Sequence, residues 1–277
     1  MNLKAERQNL NEFPELAGNF TEISVFNNQI EIIPTALWQQ TELKILNLSA
    51  NKIKQISPEI SNLVNLEMID LGHNQIEKIP SGIGTLRHLQ TYLYLHDNRL
   101  TNLPDEITQL SNLEYLNISQ NLISKLPECI GKMTGLKELK AENNQIKTLP
   151  VSFGDLTHLQ ELNLNNNHLA ELPENFSNSP KLRMLYLNNN SLRQIPVLQP
   201  ELREIYLRNN KIDRIPKEIS KLYKIRKIDL RGNQIKSIPK EILKLEHLER
   251  LDLRWNPIVK IPDFINALKE KGCLVWL

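Results

Sequence analysis

The chain of 277 residues carries 34 lysines and arginines against 32 aspartates and glutamates, a net charge of +2, with 5% aromatic residues. That balance argues against a general nucleic-acid binder, and no apolar run of about 18 residues is present to form a spanning helix. The start, MNLKAERQNLNEF, lacks an apolar leader, and the two cysteines, Cys129 and Cys273, are too few for a disulfide-stapled scaffold and read as packed thiols in a reducing compartment.

Fifteen prolines, nine glycines and an excess of Leu, Ile and Asn point to an internal repeat. A degraded copy comes first: Leu3, Ala5, Gln8, Leu10, Phe13 and Pro14, with Gln8 where later copies have asparagine. Asparagine then recurs at Asn28, Asn51, Asn74, Asn98, Asn121, Asn144, Asn167, Asn190, Asn210, Asn233 and Asn256, mostly every 23 residues. Around each stands L-x-x-L-x-L-x-x-N-x-L-x-x-L-P, with Ile often replacing Leu. Leu159, Leu162, Leu164, Asn167, Leu169, Leu172 and Pro173 form a complete copy.

The L-x-L core alternates with period two, which predicts a short strand with one buried face. One such strand cannot bury that face alone, so copies must stack as a parallel sheet. The asparagine falls where the chain leaves the strand, and its amide can satisfy backbone groups of adjacent turns. The proline starts a return segment that donates no hydrogen bond at that point. Returns such as PDEITQLSNL predict short helices or turns on a wider outer side, so the stack curves.

Positions six, four and two residues before each asparagine then line the concave sheet. In chain order they first give Ile45, Met68, Tyr92 and Tyr115 at the first of these places, with Tyr94 beside them. Solvent-facing anchors of this kind favour a partner. The stretch HLQTYLYLHDN lies here and holds one residue too many: Leu89 to Asn98 takes nine residues where the other copies take eight. The insertion is expected as a bulge at the strand entrance that re-aims Tyr92, or as a tolerated addition with no role.

His73, His96, Asp70 and Asp97 should cluster nearby, but their spacing is that of the repeat, not of a metal motif. The Gly-x-Gly of SGIGTLR lies on an outer return and lacks the setting of a dinucleotide site. Neither a metal nor another cofactor is expected. A middle zone carries Glu138, Glu142 and Glu161 around Lys140. Further on, Arg208, Arg231 and Arg254 form a ladder, with Met184, Tyr186, Tyr206 and Trp255 as apolar neighbours. The ladder is either an anion site or is neutralised by Asp229 and Asp252, pairing diagonally, which is the favoured reading. At the C-terminus, Asp263 is expected to cap a helix that Gly272 ends, and CLVWL to add a last strand. Residues 1–262 thus read as the solenoid, one degraded plus eleven full repeats, and 263–277 as its cap within the same domain.

The repeat resembles the leucine-rich repeat family, and its L-x-x-L-P ending resembles the 23-residue intracellular, Roco-type, Ras-group and bacterial branches. The resemblance implies an α/β fold: a right-handed horseshoe solenoid with a parallel concave sheet and short helices or turns outside. It also implies binding of a protein or peptide on the concave face, and with the composition the chain reads as a non-enzymatic module, expected to be a cytoplasmic monomer. The alternatives are a regulatory domain of a larger fused enzyme and a bacterial factor exported by a specialised system to bind host molecules.

Overall fold

A computed structural model describes all 277 residues. The chain forms two compact units, Met1–Gln145 and Ile146–Leu277. The first holds strands β1 (Asn2–Lys4), β2 (Glu22–Ser24), β3 (Ile45–Asn47), β4 (Met68–Asp70), β5 (Tyr92–Tyr94), β6 (Tyr115–Asn117) and β7 (Glu138–Lys140). The second holds β8 (Glu161–Asn163), β9 (Met184–Tyr186), β10 (Glu204–Tyr206), β11 (Lys227–Asp229), β12 (Arg250–Asp252) and β13 (Leu274–Trp276), with one α-helix, α1 (Ile265–Glu270), before the last strand. Within each unit the strands pair in parallel in chain order. The middle residue of most strands is fully buried and the flanking two face outward, as the period of two predicts.

The returns are 3-10 turns of five residues in most repeats. A proline precedes nearly all of them at φ near −70°, and its carbonyl accepts the amide three residues on: Ile107 N–H donates to Pro104 O at 3.1 Å. Ser57-Pro58, where proline falls one place late, is explained locally. Ser57 takes the capping position and its hydroxyl accepts the Glu59 amide at 3.2 Å. The two 20-residue repeats, β1 to β2 and β9 to β10, have no helical turn at all, so the shortening is taken from the return and spares the strand. Adjacent returns touch closely. A Cβ on Gly84 would lie 2.3 Å from the Glu106 carbonyl, so the Gly-x-Gly motif serves packing between turns.

The asparagines form a buried ladder in each unit. Asn121 is representative: Nδ2 donates to Leu95 O (3.0 Å) and Ile118 O (3.1 Å), and Oδ1 accepts the Leu100 amide at 2.9 Å. One side chain thus ties a turn to the turn before it. In the degraded first copy, Gln8 is exposed, and Asn28 Oδ1 accepts the Gln8 and Leu10 amides instead. The residue just before each asparagine adopts a left-handed backbone, φ between 52° and 63°, in every full repeat. Asn and Asp tolerate this conformation, yet Ala50, Gln120 and Trp255 also adopt it, so repetition of the fold overrides local preference.

Two expectations at the edges fail. Asp263 does not cap α1: Phe264 holds the capping position, and no side chain bonds the free amides. A proline at 262 already sets the entry, and the Ile265 amide bonds its carbonyl at 3.0 Å. Cys129 is exposed, since it sits on an outer return; only Cys273 is packed, and burial pushes its thiol pKa up. The last strand forms as predicted and pairs with β12.

Candidate functional site

The extra residue of HLQTYLYLHDN lies just before β5, at Gln90–Thr91. Strand register is unchanged: Tyr92 stands opposite Met68 on one side and Tyr115 on the other. Elsewhere one carbonyl at the strand entrance accepts two amides of the next repeat, as Lys44 O does from Glu67 (2.8 Å) and Met68 (3.1 Å). Here the duty is split: Glu114 bonds Gln90 O and Tyr115 bonds Thr91 O. On the other side, neither the Gln90 nor the Tyr92 amide donates to Glu67. Tyr92 is 40% exposed, while Ile45, Met68 and Tyr115 at the same place are half-buried.

On the open face of the first unit, Tyr92, Tyr94 and Tyr115 form one cluster. Ring centroids are 5.7 Å apart for Tyr92–Tyr94, 5.5 Å for Tyr92–Tyr115 and 5.2 Å for Tyr94–Tyr115. The Lys140 ammonium lies 5.6 Å from the Tyr115 centroid and pairs with Glu138 at 3.1 Å. Burial, with neighbouring tyrosines and carboxylates, raises the Tyr94 phenol pKa, and burial also raises that of Tyr115. Ile45 and Met68 extend the apolar strip along β3 and β4.

Histidines continue it. His96 stacks edge-on against Tyr94 (5.9 Å) and His73 (4.6 Å). His73 Nδ1 lies 2.6 Å from Asp97 Oδ2, and the two Nε2 atoms are 3.2 Å apart. Asp70 accepts the Gly72 amide at 2.9 Å. No three His, Cys, Asp or Glu side chains are grouped as a metal would need.

Burial, then the neighbouring His73, lowers the His96 pKa below the ordinary histidine value. Gly72 makes the room: a Cβ there would stand 2.4 Å from His96 Cε1. Gly72→Ala is therefore expected to expel the ring toward water and return its pKa upward toward the ordinary value of about 6.5. A pH titration of the imidazole resonances checks this; an unchanged His96 titration would mean that the ring does not depend on that space.

In the second unit the arginine ladder is largely neutralised. Arg231 binds Asp229 at 2.5 Å and reaches Asp252 at 3.4 Å. Arg254 binds Asp252 at 2.7 Å, and Arg250 approaches it at 3.6 Å. The main pairing runs along each strand, with the diagonal contact to Arg231 secondary, because a carboxylate two residues before an arginine shares its face of the strand. Arg208 alone in the ladder has no carboxylate partner; its guanidinium lies 6.0 Å from the Trp255 ring, and its Nε is buried without a hydrogen bond.

Tyr186 and Tyr206 stack at 4.8 Å. Tyr206 also donates to Glu204 at 2.6 Å; burial and that bond raise its pKa strongly. Met184 accepts from the Tyr186 hydroxyl at 3.6 Å. Trp255 stands 67% exposed on a left-handed turn. Sequence reasoning missed Trp276 of β13, which lies under Arg250 at 4.4 Å; the only signal was its place in a terminal apolar strand.

The two units also differ in charge. The first has 12 lysines and arginines against 17 carboxylates, a net of −5; the second has 22 against 15, a net of +7.

Family models match along most of the chain: a leucine-rich repeat region at residues 83–188, a leucine-rich repeat at 200–258, and a two-copy leucine-rich repeat at 41–88. A search of curated proteins finds no match. Among solved structures, a leucine-rich repeat protein of Leptospira interrogans is similar at 25% identity and TM-score 0.61, over 93% of this chain and 84% of that one. The plant peptide hormone receptor RGFR1, solved in complex with RGF2, is similar at 29% identity and TM-score 0.82, over 92% of this chain but only 43% of the receptor chain. An internalin of Listeria monocytogenes shares the fold at 23% identity and TM-score 0.67, over 92% of this chain and 79% of its own. The parallel three-residue strands, the asparagine ladder and these matches agree, and the chain belongs to the leucine-rich repeat family.

Proposed function

We propose that the chain is a non-enzymatic interaction module that binds a protein or peptide on the open face of its sheet. The observation that carries this reading is the cluster of Tyr92, Tyr94 and Tyr115. Three large amphipathic rings stand on a solvent-facing surface and are held by one another, so they lose little side-chain freedom when a partner covers them. Ile45 and Met68 widen the apolar contact. In the second unit Met184, Tyr186, Tyr206 and Trp255 are secondary anchors, with Arg208 as the arginine open to a partner's carboxylate; Arg231 and Arg254 contribute to steering more than to contact. A similar protein, RGFR1, was solved with a peptide hormone, which supports a peptide or protein partner for this fold. We place the module in the cytoplasm, where two unpaired thiols are stable.

The Tyr94→Ala, Tyr115→Ala double variant is expected to lose about 2 kcal/mol or more of binding free energy, roughly thirtyfold in affinity. Capture from the source organism's lysate by wild type and by this variant, read by mass spectrometry, provides the comparison once the variant is shown to melt like wild type. Equal capture by both would remove the assignment.

A second reading makes the chain one part of a longer protein whose other region it regulates. Its one support is the plant receptor, of which the chain spans 43%. Sequencing the full transcript tests it, and a reading frame that ends with Leu277 and opens at Met1 would dismiss it.

A further inference from the structure

We infer that the tyrosine face of the first unit takes a cationic side chain, a lysine or arginine, from an otherwise apolar segment of its protein partner. This rests on the reading of that face as the binding surface and specifies the chemistry of what it binds.

The main observation is a row of unmet hydrogen-bonding atoms. In three consecutive repeats the residue two places before the ladder asparagine has a buried polar atom with no partner: His96 Nδ1, Ser119 Oγ and Glu142 Oε2. Ser119 is only 2% exposed, and the comparison with Ser49 is telling. Both follow an asparagine two residues earlier, but Ser49 bonds Asn47 at 2.6 Å through its hydroxyl, whereas the Ser119 hydroxyl bonds nothing.

The polarity of the row follows from proton bookkeeping. With His73 in its neutral form, the Nδ1 proton goes to Asp97 and a lone pair is left on His73 Nε2. The His96 Nε2 atom 3.2 Å away must then be the donor, and His96 Nδ1 is a bare acceptor. Glu142 Oε2 is an acceptor as well, and a hydroxyl can accept. These atoms are buried, so they enrich the face in acceptors without themselves touching a partner.

Charge selects the kind of donor. Asp70, Asp97, Glu138 and Glu142 surround the cluster, and the one cation among them, Lys140, already engages Glu138 and Tyr115. Asp70, Asp97 and Glu142 each favour positive charge at the His96 ring, so the potential along this strip is negative. Tyrosine faces beside them add cation–π attraction, as Lys140 over Tyr115 illustrates.

The test is selection of a displayed random library of roughly 12-residue peptides on the whole chain, followed by affinity measurement of synthesised winners. The expected winners carry Lys or Arg next to Tyr, Phe or Leu. Their affinity falls about tenfold in an Asp70→Asn, Glu142→Gln variant that melts like wild type, and falls with added salt. Asp70→Asn keeps an oxygen for the Gly72 amide, so the fold should persist. Neutral or acidic winners that are lost in a Tyr92→Ala, Tyr94→Ala, Tyr115→Ala variant would overturn the cationic inference and leave the binding face standing. Winners that bind the tyrosine variant as well as wild type, or no enrichment at all, would overturn both.

Discussion

Asn121→Ala is expected to lower folding stability by about 2–4 kcal/mol, far more than its size suggests. The Leu95 and Ile118 carbonyls each keep a second asparagine donor, Asn98 and Asn144, so those losses are partial. The Leu100 amide has no other acceptor and would be orphaned in the core. An orphaned buried amide costs about 1–3 kcal/mol, and each lost hydrogen bond about 1 kcal/mol more. Chemical denaturation of the variant beside wild type measures it. The control is Asn102→Ala, an exposed asparagine outside the ladder, expected within about 0.5 kcal/mol of wild type. A ladder variant that unfolds at the wild-type midpoint would show that the side chain does not tie the repeats together. Because stability in a repeat array is a sum of local and nearest-neighbour terms, the loss should be greatest in the turns that flank Asn121.

Asp252→Ala should be the most damaging change on the face of the second unit, at about 2 kcal/mol. The carboxylate is 0% exposed and lies among Arg254, Arg231 and Arg250. Removing it leaves three guanidinium groups close together without the anion that holds them. Breaking a fully buried pair costs about 3–5 kcal/mol, but these arginines are partly open to water, which screens the loss.

The same contacts set a pH dependence. Burial alone would raise the Asp252 pKa, but the Arg254 hydrogen bonds and the Arg231 charge outweigh it, and the net shift is downward. A folded-state pKa below the unfolded one means that the unfolded chain binds protons more readily in acid. The stabilisation from Asp252 is therefore present above the ordinary carboxylate pKa of about 3.9 and is lost as pH falls through the lower folded value. Urea unfolding at pH 7 and near pH 3 should show wild type and Asp252→Ala far apart at neutrality and closer together in acid. A gap that does not narrow would assign the cost to packing instead of charge.

Much of the fold was legible because each signal is local and repeated. The L-x-L alternation placed every strand of the full repeats, and the proline placed the returns. Even the spare residue could be assigned to the entrance of β5, since the register on either side of it left no other room. The tyrosine strip was legible for the same reason: equal places in consecutive copies must be neighbours in a stacked parallel sheet. The contacts of Asp97 with His73, and of Trp276 with Arg250, were not. They depend on rotamers chosen among several neighbours and on a left-handed turn that carries Ala50 or Trp255 as readily as Asn27. Asp263 was misread because a good capping residue next to a proline has a competitor that sequence pattern does not rank.

The arginine ladder marks the boundary between the two kinds of knowledge. Composition and spacing by themselves determined that Arg208, Arg231 and Arg254 share one face beside two aspartates. Only the tertiary structure decided that two of them bind carboxylates while Arg208 does not, because pairing depends on distance and burial in three dimensions. Likewise, the period of the asparagines determined that turns would stack, and the packing alone decided which polar atoms that stacking leaves unmet: His96 Nδ1, Ser119 Oγ and Glu142 Oε2 in the first unit, and Asn175 Oδ1, Ser179 Oγ, Arg208 Nε and Arg250 Nε in the second.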